Sequence, residues 1–449
     1  MAVVDRIGAL RERDFRLLFA GTTITTVGDR LAGIALAFAV LDIGSATALG
    51  LVFAVRQGVQ ALVVIGGGVL SDRIPRNLVL VGASLVQGVA QALTAASVLS
   101  GVGGVGAIVV LQAVYGVGLG LVLPAEIGLV PQTVSPERLQ QANALQGLTR
   151  NVVGVLGPAV GGVVVVAGGP GFALAVDAVS FFVCADLLRR IRVAPRAEEG
   201  HGFIHELREG WQEFTARTWL WASVVLFGIG NLAFAGWIVL GPLIADERLG
   251  GAGAWAAILT ASGVGAVVGG VVAIRIRPRR PLVVCVLAAT PLSLQTLALA
   301  VSAPTAVIAA AAFLGGMGLA VHLTLWFTVF QQQVPERARS RVASYDTLGS
   351  FVLMPIGMVL VGPLSDAIGV VETLWIGLVV MWASWAAILM LPSVWEIRSS
   401  ERVAEPSASY ELTRERAASG TCCWNTVNHS ARWIASPAPA KTCAPSSTG

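Results

Sequence analysis

Apolar residues in this chain come in long unbroken runs. Stretches of mostly apolar positions recur along its length, separated by short groups of charged residues, Gly or Pro. A helix crossing about 30 Å of hydrocarbon needs about 20 such residues. Twelve runs meet that length, at about 16–41, 47–70, 77–98, 104–123, 141–166, 171–190, 219–243, 254–274, 281–301, 305–328, 342–364 and 371–392. None alternates with the period of two expected of a lipid-facing barrel strand. The pattern predicts an all-α membrane protein with twelve transmembrane helices.

The longest break between runs follows the sixth. It holds Phe203, Leu207, Trp211 and Phe214 at helical spacing, with Glu206, Arg208, Glu209 and Glu213 between them. That predicts an amphipathic helix at the membrane surface. The expected organisation is a six-helix bundle at 1–190, a linker at 191–218, a second six-helix bundle at 219–392 and a tail at 393–449. The tail is polar, lacks apolar periodicity and reads as disordered.

Composition agrees with the pattern. Of 449 residues, 55% are hydrophobic and only 12% charged, with a mean hydropathy of +0.77. A soluble chain carries about 25% charge, so a water-facing surface is excluded. The distribution of charge then sets an orientation. Alternate loops hold Arg73 and Arg76, then Arg138, then Arg189, Arg190, Arg192, Arg196, Arg208 and Arg217, then Arg275, Arg277, Arg279 and Arg280, then Arg337, Arg339 and Arg341. The opposite loops hold only Arg248, beside Asp42, Asp246, Glu247, Asp366 and Glu372. Basic loops stay in the cytoplasm, so both termini are expected there. The five Cys show no regular spacing, and no structural disulfide or zinc site is expected. No cleavable signal peptide is expected either.

The two halves echo one another. Val134-Ser135-Pro136-Glu137-Arg138 recurs as Gln333-Val334-Pro335-Glu336-Arg337, and Gly28-Asp29-Arg30-Leu31-Ala32 recurs as Gly230-Asn231-Leu232-Ala233. Both matches fall at equivalent runs with nearly one offset, the mark of an internal duplication. Paired repeats suit alternating access, with a site between halves that rock against each other.

Between the second and third runs stands Gly67-Gly68-Val69-Leu70-Ser71-Asp72-Arg73-Ile74-Pro75-Arg76-Asn77. A carboxylate and two arginines at the membrane surface can form a breakable latch. Here the chain resembles the major facilitator superfamily, whose loop signature Gly-x-x-x-Asp-Arg-x-Gly-Arg-Arg/Lys is matched at Gly68, Asp72, Arg73 and Arg76, with Pro75 replacing the second Gly and Asn77 the final basic residue. In the fifth run, Gly154, Gly157, Pro158, Gly161 and Gly162 put small residues on one face, which allows close backbone approach. They resemble the superfamily's Gly-Pro-x-x-Gly-Gly motif, which implies antiport and export. Pro124-Ala125 and Pro136-Glu137-Arg138 through Ala142-Asn143-Ala144 are similar to the drug- and siderophore-exporting branch, with its macrolide and enterobactin exporters. The resemblance implies a bacterial inner-membrane protein. In one departure, Gln112 stands before Gly116 and Gly118 where the superfamily has an Arg implicated in proton coupling.

Charges within the runs carry the candidate chemistry, because a charge in hydrocarbon is expensive unless partnered or functional. Asp29 and Arg30 lie near the middle of the first run and Arg56 at similar depth in the second. An Asp29–Arg56 pair would serve coupling or gating, or fix helix register. Asp177 could bind a proton or simply hydrogen-bond to a neighbour such as Ser180, and Asp186 faces the Arg189–Arg190 cluster. His322 titrates near neutral pH when unperturbed. Gln112, Asn231, Trp237 and Trp326 are candidates to line a substrate cavity, and Trp219, Trp221, Trp375 and Trp395 read as interface anchors.

No Walker loop, metal-protease or serine-hydrolase signature occurs. The expected function is therefore not enzymatic. It is secondary transport without a cofactor, driven by the proton gradient and not by ATP. Efflux of a small hydrophobic compound leads; an uptake permease and a non-transporting sensor of the same fold stand behind it. The expected partners are a small-molecule substrate and the lipid bilayer, with no nucleic acid and a monomeric state.

Overall fold

The computed structural model describes residues 8–192, 203–335 and 338–398, without the side chains of 65–73, 203–207, 209 and 340. Among the described residues there is no strand, and eleven helices are long and apolar enough to cross a membrane. They run as α1 Arg13–Ile43, α2 Ala46–Arg73, α3 Arg76–Ser100, α4 Gly104–Thr133, and then one continuous segment, Leu139–Arg189. That segment has 51 residues, about 76 Å at 1.5 Å per residue, more than twice a hydrocarbon core. It reverses at Gly169, whose φ of 81° and ψ of 166° suit glycine alone. Its first arm climbs beside α1, with Gly157 at Arg30 and Gly161 at Leu31. The second arm returns, with Asp177 at Gly28 and Cys184 at Gly21. The arms are α5 (139–168) and α6 (170–189), which brings the count to twelve.

The connector helix, Phe203–Thr215, lies where the amphipathic pattern predicted it. Trp211 and Phe214 pack against Tyr345 with ring centroids 5.3 and 5.8 Å away. The second bundle continues as α7 Thr218–Ile244, α8 Ala252–Arg275 and α9, built from Pro281–Ala289 and Leu292–Ala300. Then come α10 Thr305–Gln333, α11, built from Arg339–Phe351 and Met354–Ile368, and α12 Val370–Met390. The start of the segment 393–449, expected to be disordered, is structured: Pro392–Glu396 is helical, and Val394 is fully buried in the second bundle's core. The tail beyond 398, with Cys422, Cys423 and Cys443, lies outside the described residues.

The apolar cores show how the bundles meet. One core draws on both, joining Ala32–Val40, Leu49 and Leu174 to Trp237, Leu240, Trp255, Ile258 and Met358. At the opposite end each bundle has its own core, around Phe15, Leu129 and Leu188 in one and Trp219, Val286 and Phe330 in the other. The bundles are therefore joined at one end and separately packed at the other. The joined end also carries a polar clasp, Thr47 Oγ1 donating to Asp366 Oδ2 at 2.8 Å. Backbones crowd there: a Cβ built on Gly50 would fall 2.1 Å from the carbonyl oxygen of Met358.

At the separately packed end, the residue before each bundle's first helix holds a loop. Glu12 Oε1 accepts from the Ser135 backbone at 3.2 Å, Ser135 Oγ at 2.9 Å and Arg138 Nη1 at 3.3 Å. Arg217 Nε donates to the Gln333 carbonyl at 3.2 Å. The Ser135 backbone hydrogen bond, more than any other contact, holds the Glu12 carboxyl below its ordinary range. Its contribution to stability is complete above the ordinary value of 4.5 and fades as pH falls through the lowered one.

Glycine sets helix spacing in the second bundle. A Cβ on Gly265 would lie 1.9 Å from the Phe313 carbonyl oxygen, whereas one on Gly270 would meet nothing within 4 Å. Gly265→Leu should lower stability by about 1–3 kcal/mol or abolish folding, since backbone must move. Gly270→Leu should be nearly neutral, and thermal melts of the detergent-purified variants compare the two.

Candidate functional site

The site grows from α1. Its threonine run is satisfied locally, with Thr22 donating to Leu18 O at 3.0 Å and Thr26 to Thr22 O at 2.6 Å. One turn on, Asp29 leaves the helix toward α2 and α4. Tyr115 donates its hydroxyl to Asp29 Oδ1, and Arg56 Nη2 stands 3.7 Å from the same oxygen. The Arg56 guanidinium also lies 4.1 Å above the Tyr115 ring, a cation–π contact. A Cβ on Gly116 would come within 2.5 Å of the Arg56 carbonyl oxygen. That close approach of α4 and α2 is what lets Tyr115 reach both charges. The Asp29–Arg56 pair expected from sequence depth is thus present, with the side chains 32% and 15% exposed.

Asp177 comes from α6 and lies against Gly28, where a Cβ would fall 2.2 Å from its Oδ1. Gln91 Nε2 donates to Asp177 Oδ2 at 2.8 Å, and Ser180 Oγ to Oδ1 at 3.4 Å. Gln112 continues the chain, donating from Nε2 to Gln91 Oε1 and Thr94 Oγ1, each at 3.3 Å. Gln112 is fully buried inside the first bundle and faces Asp177's partners instead of an open space. Tyr115 packs edge-on against Phe181 at 5.7 Å, so the carboxylates on α1 and α6 share one wall.

The remaining positions fall as follows. Arg76 Nη1 donates to the Gly128 carbonyl at 2.8 Å, tying the start of α3 to α4. The Asp72 and Arg73 side chains lie outside the described residues, and Gly68 is part of the helical backbone of α2. The small residues of α5 serve two neighbours: Gly157 and Gly161 admit α1, while Gly162 admits Ala256 of α8, with a built Cβ 2.3 Å from that methyl. Gly154 O would stand 2.8 Å from a Cβ on Gly263 of α8. The helix continues through Pro158, which is buried. Asn231 Nδ2 donates to Ser350 O at 2.8 Å. His322 Nδ1 is 2.9 Å from the Cys285 carbonyl, so it carries the proton of that bond, and Cys285 Sγ lies 3.3 Å from the His322 carbonyl. Trp237 is buried against Trp255, with centroids 4.9 Å apart. Trp219 is buried against Trp326 at 5.8 Å, while Trp221, Trp375 and Trp395 remain about two-fifths exposed near helix ends. Asp186 pairs with Arg189 and Arg190 as the sequence suggested.

Two pairs escaped the sequence reading as pairs. Gln146 Nε2 donates to Glu126 Oε1 at 3.2 Å, and Trp326 Nε1 donates to Asp346 Oδ2 at 3.0 Å. Each links the fourth helix of its bundle to the fifth. Each of the four residues stands seven positions from the end of its helix, at Thr133, Leu139, Gln333 and Arg339. The acid has changed helix between the repeats. The signal was available: Glu126 and Trp326, like Gln146 and Asp346, lie 200 positions apart, close to the repeat offset. Among the described residues no group of three or more His, Cys, Asp or Glu could hold a metal ion.

Twelve apolar helices in two bundles around buried, partnered charges define a membrane transporter of the major facilitator type. The chain belongs to the transmembrane secretion effector family, whose model matches residues 6–421. Its fold is similar to that of a bacterial homologue of the human lysosomal transporter Spinster, in an inward-facing and unoccupied conformation. The TM-score is 0.68 at 15% identity, covering 85% of this chain and 98% of that one. It is also similar to the nucleoside transporter NupG, at TM-score 0.67 and 11% identity over 83% and 99% of the two chains. A peptide transporter, POT, in complex with sulfate matches at TM-score 0.65 and 14% identity over 87% and 96%. None of the curated proteins matches the chain. The family and the structural neighbours are transporters, not enzymes.

Charge pairing within the site makes a specific prediction. Arg56→Gln leaves the Asp29 carboxylate without its cation and should cost about 1–3 kcal/mol, toward the low end because Asp29 is one-third exposed. Adding Asp29→Asn should recover part of that loss. Melts of the single and double variants measure the difference, and a double variant worse than Arg56→Gln would contradict the pairing.

Proposed function

We propose that the chain exports small, mainly hydrophobic compounds, of drug, antibiotic or siderophore-like type, in exchange for protons. The observation that carries this is the Asp29–Arg56–Tyr115 cluster at mid-depth of α1, where α1, α2 and α4 of the first bundle converge. A carboxylate held by one cation and one hydroxyl has two arrangements. Ionised, it anchors Arg56 and accepts from Tyr115; protonated, it releases Arg56 to the Tyr115 ring alone. The small-residue face of α5, packed on α1 and α8, supports an exchange mechanism, because it allows the bundles to slide in close contact.

The bundles share a core at the end bearing Asp42, Asp366 and Glu372, and are packed separately at the arginine-rich end. Under the positive-inside rule this arrangement opens toward the cytoplasm, with both termini there and the protein in a bacterial inner membrane. Rocking about the shared core would expose the site to the other side. The proton gradient supplies the drive, the chain acts as a monomer, and neither ATP nor a bound cofactor takes part.

The test pairs a susceptibility panel with vesicle transport. Expressed in a pump-deficient host, the protein should raise tolerance at least fourfold to one or more of a macrolide, a fluoroquinolone, ethidium and a catecholate siderophore. Asp29→Asn at equal membrane abundance should remove most of that gain. Everted vesicles should accumulate the same compound on acidification of the lumen. Accumulation in right-side-out vesicles instead would show an uptake permease.

A further inference from the structure

Asp29, Asp177, Asp186 and Arg56 all have hydrogen-bonded or ion-paired partners, whereas Arg30, next to Asp29, acts on that carboxylate only at a distance. Arg30 makes no hydrogen bond and no ion pair within 4.0 Å among the described residues. It is nonetheless exposed, about 25 Å along α1 from Arg13.

The surroundings show what it faces. On α1 the exposed or half-buried positions Arg16, Ala20, Thr23, Ile24, Val27 and Arg30 form one stripe at helical spacing. A stripe turned to lipid would continue along the span. This one stops at Leu31, and from there to Val40 every residue is buried except half-buried Gly33, within the core that both bundles share. The stripe therefore borders the gap between the bundles, and Arg30 stands at its closed end. Its side chain leaves the helix over Gly157, where a Cβ would fall 2.6 Å from its own Cβ, so only glycine leaves room for it. Two turns back on the same face of α5, Arg150 is 59% exposed and only loosely paired, 3.9 Å from Glu126.

The charges near Arg30 do not cancel it. Asp29, its sequence neighbour, is engaged by Arg56 and Tyr115 toward α2 and α4. Asp177 sits at Gly28, about 200° around α1 from Arg30, with Gln91 and Ser180 on its oxygens. One guanidinium, with its planar fork of donors unoccupied, is left at the end of the stripe beside Ile24 and Val27.

We infer that Arg30 receives the anionic head group of the substrate, so that the transported compounds are amphipathic anions, carboxylates or phenolates on a hydrophobic body. Ile24 and Val27, one to two turns away on the stripe, take the apolar part. Arg150 is a second cation on the way in. This rests on the reading that a substrate passes between the bundles, and it is independent of transport direction and coupling ion.

The test uses the full-length protein in detergent and three probes sharing one ring system: 2-naphthoate, 2-naphthamide and 2-naphthylmethylammonium. Affinity is read from ligand-dependent shifts of the melting temperature, with ligand-free melts reporting the folding of each variant. Wild type should bind the carboxylate at least tenfold more tightly than the ammonium. Arg30→Gln should lose about tenfold for the carboxylate and nothing for the amide, and Arg30→Lys should retain an intermediate affinity. The head-group preference of wild type alone decides the matter if a variant fails to fold. Equal binding of the three probes, preference for the ammonium, no binding of the carboxylate, or an unchanged carboxylate affinity in folded Arg30→Gln overturns the assignment. The vesicle experiment fails separately, since head-group selectivity does not depend on which way the compound moves.

Discussion

A charged side chain inside a bilayer must find an opposite charge, hydrogen bonds or water, and much of this structure follows from that constraint. Leaving an arginine or aspartate bare at mid-membrane costs at least about 2.5–3.5 kcal/mol, more than a neutral hydrogen bond returns at about 0.5–1.5 kcal/mol. The partners found here lie on other helices. Asp29 draws α1 toward Arg56 of α2 and Tyr115 of α4, and Asp177 draws α6 toward Gln91 of α3. Register among the helices of the first bundle is thus fixed by polar contacts that lipid-like apolar surfaces could not specify. Among the described residues, Arg30 of α1 makes no hydrogen bond or ion pair within 4.0 Å, and it is exposed where the stripe on α1 ends.

Glycine lets those contacts form. Helices in lipid gain little by exchanging a lipid tail for a leucine, so close backbone approach has to supply the attraction. Gly157 and Gly161 against α1, Gly162 against α8, and Gly50 against α11 bring main chains nearer than any Cβ would permit. The same contacts bear on the proposed rocking of the bundles. The core they share is apolar on both sides and carries few hydrogen bonds, Thr47–Asp366 among them. Separating such surfaces at one end while joining others at the opposite end exchanges like for like. The strong polar networks stay within single bundles and travel with them.

Much of the fold was legible because long apolar runs and basic loops are local signals. The twelve helices and the connector helix follow from run length and spacing, and the turn between the fifth and sixth lies at Gly169, between runs ending near 166 and starting near 171. The Asp29–Arg56 pair was legible from depth alone, because so few charges lie within the spans. Tyr115 and Gln91 were not, since a tyrosine or glutamine in an apolar helix carries no sign of which carboxylate it will meet. Glu126 and Asp346 sit on different helices of their bundles and their donors Gln146 and Trp326 differ in chemistry, so the repeat hides behind that exchange. Gln112 stood out as a departure from a motif, and its role became visible only through Thr94 and Gln91. Val394 is buried although the local sequence there turns polar, because the end of α12 delivers it to a core built by distant residues.

One face of α1 is open from Arg16 to Arg30 and closes at the core that both bundles share. Cysteine accessibility measures this directly. Val27→Cys lies on the open stripe and Leu36→Cys within the shared core, while the native Cys184 and Cys285 are buried. In everted vesicles carrying a chain with its tail cysteines replaced, a membrane-impermeant maleimide should label Val27→Cys rapidly. Leu36→Cys should label at least tenfold more slowly. Labelling of Val27→Cys only by a lipid-soluble maleimide would place that face against lipid and contradict the account.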